Sequence, residues 1–146
     1  MKREFSTSWI SSKQPRKQVK YRANAPLHLK HKFLSAHLSK ELRTKYGKRS
    51  IPLRKGDEVL VMRGSFKKKK AKVTVVDLKR TRIALENLQR SKKDGTKINV
   101  WFSPSSLLIQ DLNLDDRKRI AVFERAKNKT EKSESGVKNA PKKIDG

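Results

Sequence analysis

Between Ile51 and Leu112 the chain is cut into five short runs of β-forming residues, Glu58–Arg63, Lys72–Asp77, Arg82–Glu86, Lys97–Phe102 and Ser106–Ile109, each bounded by turn residues. Val, Ile and aromatics suit a pleated, half-buried surface, and Asp94-Gly95 between the third and fourth runs is a strong hairpin signal. A sheet this small cannot protect exposed edges, so the expected fold is mostly β, a small barrel or sandwich whose closure removes them. A helical bundle is excluded for this stretch. Trp101 and Phe102 are strand neighbours facing opposite ways, which predicts one in the core and the other exposed or covered by a helix.

The flanks read differently. Asn24-Ala25-Pro26 opens a helical stretch in which Leu27, His31, Leu34 and Leu38 recur at helical spacing. Ser39 caps a second short helix that stops at Gly47, with Glu41 near its positive end. Residues 1–23 have no apolar period and crowd cations around Pro15, which predicts a basic arm that orders only on a partner. The chain thus divides into the arm, short helices over 24–50, the β domain over 51–112, and a last helix within 113–128. Asp115 is the expected cap of that helix, and Ile120 and Phe123 are its apolar anchors. Residues 129–146 are Lys-rich and aperiodic, and are expected to be disordered.

Charge decides the class of partner. Lys and Arg number 39 against 14 Asp and Glu, a formal net charge of +25. The surplus lies upstream: residues 1–50 carry 14 basic and 2 acidic side chains, 51–112 carry 15 and 6, and 113–146 only 10 and 6. Such a surplus opposes compaction unless a polyanion offsets it, and nucleic acid fits better than an acidic membrane. With no cysteine, disulfides, thiolate metal sites and a cysteine nucleophile are excluded. No signal-like apolar run opens the chain, and no apolar stretch approaches the ~20 residues that span a bilayer, so a soluble intracellular protein is expected.

Catalytic patterns are missing. Asp57, Glu58, Asp77, Glu86, Asp94 and Asp111 fall at strand ends and turns among cations, and read as turn formers and local ion-pair partners. The segment Ser103-Pro-Ser-Ser106 lacks the glycines of a nucleophile elbow, and Gly56, Gly64 and Gly95 are too scattered for a phosphate-binding fingerprint. His28 and His31 can share a helix face, but no further ligand completes a metal site there. Neither an enzyme nor a cofactor is expected.

The chemistry concentrates in Arg54–Asp77. One strand ends at Gly64, four consecutive lysines, Lys67 to Lys70, fill the loop, and the next strand leaves at Lys72. Glycine permits a turn with positive φ, and the loop then offers ammonium groups to a row of phosphates, with Phe66 placed to stack on an unpaired base. This segment, continued by Lys79–Glu86, resembles the KOW motif. With Asn24-Ala-Pro-Leu-His-Leu-Lys30, Leu38-Ser-Lys-Glu-Leu-Arg43, Lys45-Tyr-Gly-Lys-Arg-Ser-Ile-Pro52, Asp94-Gly-Thr96 and Pro104-Ser105, the chain is similar from about Ser11 to Ile120 to the KOW-domain proteins of the large ribosomal subunit, archaeal and eukaryotic branch.

The resemblance implies an SH3-like β-barrel with short amino-terminal helices, a carboxy-terminal helix and basic extensions. It implies a structural role: binding large-subunit rRNA and supporting early subunit assembly near the polypeptide tunnel exit, beside neighbouring large-subunit proteins in the cytoplasm. Neither a small-molecule substrate nor a homo-oligomer is implied. The RNA contacts it implies are Arg63, Gly64, Lys67, Lys68, Lys69, Lys70 and Lys72 in the loop and Arg80 and Arg82 near the next turn. Arg16, Lys17, Lys20, Arg22, Asn24, His28, Lys30 and Lys32 follow along the amino-terminal part, with Arg49 and Lys55 at the barrel entrance. Lys68 and Ala71 stand where the family usually has glycines, which predicts a stiffer, more basic loop, and Ser103 stands where it commonly has His. The alternative is a free KOW module acting in transcription or RNA processing. Such modules are normally joined to another folded domain, whereas here basic arms flank the β domain.

Overall fold

All five strands expected between Ile51 and Leu112 form, and two short ones precede them. The structure is a computed structural model that describes residues 5–125; the expected disordered tail, 129–146, and the first four residues of the arm lie outside the described residues. In chain order, β1 is Ser35–Leu38, β2 Ser50–Pro52, β3 Glu58–Val61, β4 Lys70–Asp77, β5 Arg82–Ser91, β6 Lys97–Phe102 and β7 Leu107–Asp111. Among the described residues they make one sheet in the order β2-β1-β7-β3-β4-β5-β6. Neighbours are antiparallel except β1 and β7, which run parallel with Leu38 opposite Ile109.

The domain is mostly β, as its short runs require, but the sheet is not closed: β2 and β6 are its two ends. Register shifts between Glu58 and Val59, Val73 and Val75, and Ala84 and Gln89 bend the strands. Curvature rather than closure therefore gathers side chains from all seven strands into one apolar cluster. Alternation aims them inward: Ala36 and Leu38 on β1, Val59 and Val61 on β3, and Leu107 and Ile109 on β7 are buried, while the residues between them are not. Phe102 is buried and its strand neighbour Trp101 is exposed.

Among the described residues four α-helices flank the sheet: α1 (Pro15–Asn24), α2 (Leu27–Phe33), α3 (Lys40–Tyr46) and α4 (residues 117–125). Helix α3 has the expected ends. The Ser39 hydroxyl accepts the Leu42 N–H at 3.3 Å, and Gly47 closes the helix at φ 62°. Helix α2 stops at Phe33, earlier than its Leu periodicity suggested. The same Leu34 and Leu38 that look helical at a spacing of four also alternate with Ala36 between them, and the strand period wins because all three then face the core. Residues 15–24, read as an irregular arm, are helical. Tyr21 anchors them, buried against Phe5 (ring centroids 5.1 Å) and Phe33 (5.9 Å), a contact that no local periodicity reveals. At α4 the cap is Asp116, not Asp115: its carboxylate accepts the Lys118 N–H at 2.8 Å and its carbonyl accepts those of Arg119 and Ile120.

A buried ion pair ties α4 to the sheet. Asp57 has no exposed surface and Arg119 only 3%. Arg119 Nη1 donates to Asp57 Oδ1 at 2.6 Å and Nη2 to Oδ2 at 2.8 Å. The backbone N–H groups of Arg54 and Asn113 donate to the same carboxylate at 2.8 and 3.1 Å, so both of its oxygens are fully engaged. Asp57 is therefore more than the local turn former that its position suggested. Nearby, Arg54 Nη1 also pairs with Asp116 Oδ2. Among the described residues no helix is long and apolar enough to cross a membrane.

Candidate nucleic-acid interface

The loop between β3 and β4 is built by tight backbone bonding. Lys68 N–H donates to the Val61 carbonyl at 2.8 Å, and Val61 N–H donates to that of Lys69 at 2.9 Å. Gly64 turns the chain at φ 91°, with no atom within 4 Å of where a Cβ would stand, so conformation alone calls for glycine there. Lys68 also has positive φ, 71°, a region costly for a side chain bearing a Cβ. Arg63, Lys67, Lys68, Lys69 and Lys70 are exposed. Lys69 Nζ lies 5.4 Å from the Phe66 ring centroid, and Lys72 faces Glu58 across the β3–β4 register. Lys69, Lys70 and Lys72 line a groove of about 510 Å³ that also admits Glu58 and Glu86.

Phe66, expected to stack on a base, is partly buried: it packs edge-on against Phe102, centroids 6.0 Å apart, and against the apolar cluster.

A second groove, about 470 Å³, collects cations of one sign. Arg22 from α1 and Lys30 from α2 face Lys79, Arg80 and Arg82 of the β4–β5 turn, with Ser103 and Ser105 along one wall. Among the described residues no acid lines it. Lys30 Nζ donates to the Lys79 carbonyl at 3.2 Å, which ties α2 to the turn. Asp77 shapes that turn by accepting the Arg80 N–H at 3.1 Å. Lys79 is a member of this groove that the sequence reading left out, although it adjoins Arg80 in the same basic run.

Arg16, Lys17 and Lys20 lie together on α1 around a third groove, about 270 Å³, whose remaining wall is Trp9. Trp9 was likewise absent from the expected contacts. The other expected residues are not drawn into these three grooves: His28, Lys32 and Arg49 are exposed on α2 and before β2, and Asn24 is exposed at the end of α1. Lys55 lines a separate, mainly apolar hollow of about 400 Å³ with His31, Val76 and Leu78. Among the described residues two titrating groups are displaced from their ordinary values. Burial pushes the Lys48 ammonium down, helped by the Arg125 charge, and hydrogen bonds led by the Thr96 hydroxyl hold Asp94 low.

A family model described as the ribosomal proteins L26 of eukaryotes and their L24 counterparts of archaea matches residues 12–126 of this chain. The chain is also 47% identical over 122 residues to the large ribosomal subunit protein uL24 of Korarchaeum cryptofilum, an alignment that covers 84% of this chain and 93% of that relative.

Proposed function

The chain belongs to the ribosomal protein family of eukaryotic L26 and its archaeal L24 counterparts, and we propose that, as a constituent of the large subunit, it binds rRNA through the cationic grooves described above. It is a structural, non-enzymatic protein. The observation that carries the RNA reading is the groove in which Arg22, Lys30, Lys79, Arg80 and Arg82 converge from two separate parts of the chain with no acid among the described residues of its wall. Five like charges held together repel one another, and phosphates that displace condensed counterions relieve that repulsion. If each of them meets a phosphate, log–log salt dependence from this groove alone approaches a slope of about −4, at ~0.7–0.9 per contact. The exposed loop lysines add to it.

The family resemblance, rather than any distance in the fold, supports an early role in subunit assembly and a place near the polypeptide tunnel exit of cytoplasmic ribosomes, with neighbouring large-subunit proteins as further partners. Co-sedimentation tests the reading. The protein is expected to travel one-to-one with large subunits through a high-salt wash; substoichiometric recovery with RNA polymerase instead would refute it.

A further inference from the structure

We infer that the groove between Trp9 and helix α1 is a nucleotide pocket, in which an unpaired base of an RNA single strand stacks on the indole while Arg16, Lys17 and Lys20 hold its flanking phosphates. The inference rests on the RNA-binding reading above and deepens it.

Among the described residues the pocket is lined by these four alone, about 270 Å³ of space between one aromatic wall and three cations. Lys20 stands one turn beyond both Arg16 (i+4) and Lys17 (i+3) on the same helix, so each of them neighbours its ammonium. The backbone that carries the indole is fastened in place by specific bonds. Trp9 ends a short 3-10 turn, Thr7–Trp9, and Gln18 of α1 reaches back with its amide to the carbonyls of Trp9 (3.1 Å), Ile10 (3.2 Å) and Ser12 (2.6 Å). Those bonds satisfy the carbonyls at the end of the turn and tie it to the helix. A half-buried aromatic beside a cationic helix face, with no acid in the wall, is the arrangement that binds single strands: the ring takes any base face and the cations take the backbone.

Two other rings have apolar company: Phe66 packs edge-on against Phe102, and Trp101, though exposed, stands opposite Ala84 with Val75 beyond it.

Tryptophan fluorescence of the full chain tests this directly. The sequence has two tryptophans, so Trp101→Phe leaves Trp9 as the sole reporter. An oligouridylate of about ten nucleotides, within the span that one small domain covers, is expected to quench Trp9 on binding. An RNA duplex of equal length, whose bases are already stacked, is expected to bind by charge and leave the emission unchanged. Trp9→Ala should weaken single-strand binding about fivefold or more at an unaltered salt slope, and Trp9→Phe should restore most of it. Unchanged Trp9 emission on a strand that anisotropy shows to be bound, or equal quenching by duplex, would overturn the pocket while leaving RNA binding by the other grooves intact. Salt-dependent binding to neither RNA would overturn both readings.

Discussion

Asp57→Asn isolates the buried ion pair with almost no change of shape. The carboxylate accepts four hydrogen bonds, two on each oxygen: Asn113 N–H and Arg119 Nη1 on Oδ1, Arg54 N–H and Arg119 Nη2 on Oδ2. An amide has one acceptor end. Whichever way it is turned, its NH2 group confronts one backbone N–H and one guanidinium N–H, so two attractive contacts become repulsive and a guanidinium with 3% exposure loses its counter-charge. Breaking a buried pair from one side costs about 3–5 kcal/mol, a large share of the ~5–15 kcal/mol that holds a domain of this size. That corresponds to a fall in Tm of roughly 10–20 °C. Urea unfolding followed by circular dichroism, wild type against variant, measures it. Because the pair is dry, the difference should persist at about 1 M salt, where exposed pairs are screened. Arg119→Met should cost less, since Asp57 keeps its two backbone donors. A deficit below about 1 kcal/mol, or one that salt erases, would refute the reasoning.

Three further outcomes follow from the geometry. Replacing Lys67 or Lys68 by Gln should flatten the salt dependence of RNA binding by up to ~0.7–0.9 per lost contact, measured by filter binding, and Lys69→Gln should do less because its ammonium lies over Phe66. Lys68→Gly, at φ 71°, should raise stability by about 0.5 kcal/mol in urea melts, relief of the left-handed strain exceeding the added freedom of the unfolded chain, whereas Lys68→Ala should give no gain. Asp94 is held below its ordinary value of 3.8 by bonds from the Thr96 hydroxyl and N–H, so its contribution is complete above that pH and is lost as pH falls through the lower folded value. Acid titration of Asp94→Ala, followed by circular dichroism, should therefore show a shallower loss of stability below about pH 4.

Legibility in the sequence followed the range of the interactions. Strands such as Glu58–Val61 and Lys97–Phe102 were visible because alternation and turn residues are local, and the Ser39 and Gly47 caps of α3 were visible for the same reason. Ser35–Leu38 was hidden because Leu34, Ala36 and Leu38 satisfy two periods at once, and only pairing with β7, far along the chain, selects one. The loop lysines announce their charge, yet that Phe66 packs against the core depends on Phe102, which local sequence cannot bring near. Asp57 and Arg119 sit 62 positions apart, and Asp57 alone reads only as a turn former or local ion-pair partner. Lys79 adjoins the recognised Arg80, whereas Trp9 lies well before Arg16 in the chain, and the membership of each in a groove is a property of how helices and turns are docked.

The parallel seam between β1 and β7 also has a consequence for biosynthesis. Leu38 meets Ile109, and Ser39 N–H donates to the Ile109 carbonyl at 2.9 Å, so the first strand made has its inner neighbour only when the last one has been translated. A ribosome adds ~5–20 residues per second, which leaves β1 without that neighbour for several seconds after it is made. Folding of this chain on the way out is thus gated by its far end, and a nascent intermediate halted before residue 107 would lack the strand that joins its two halves.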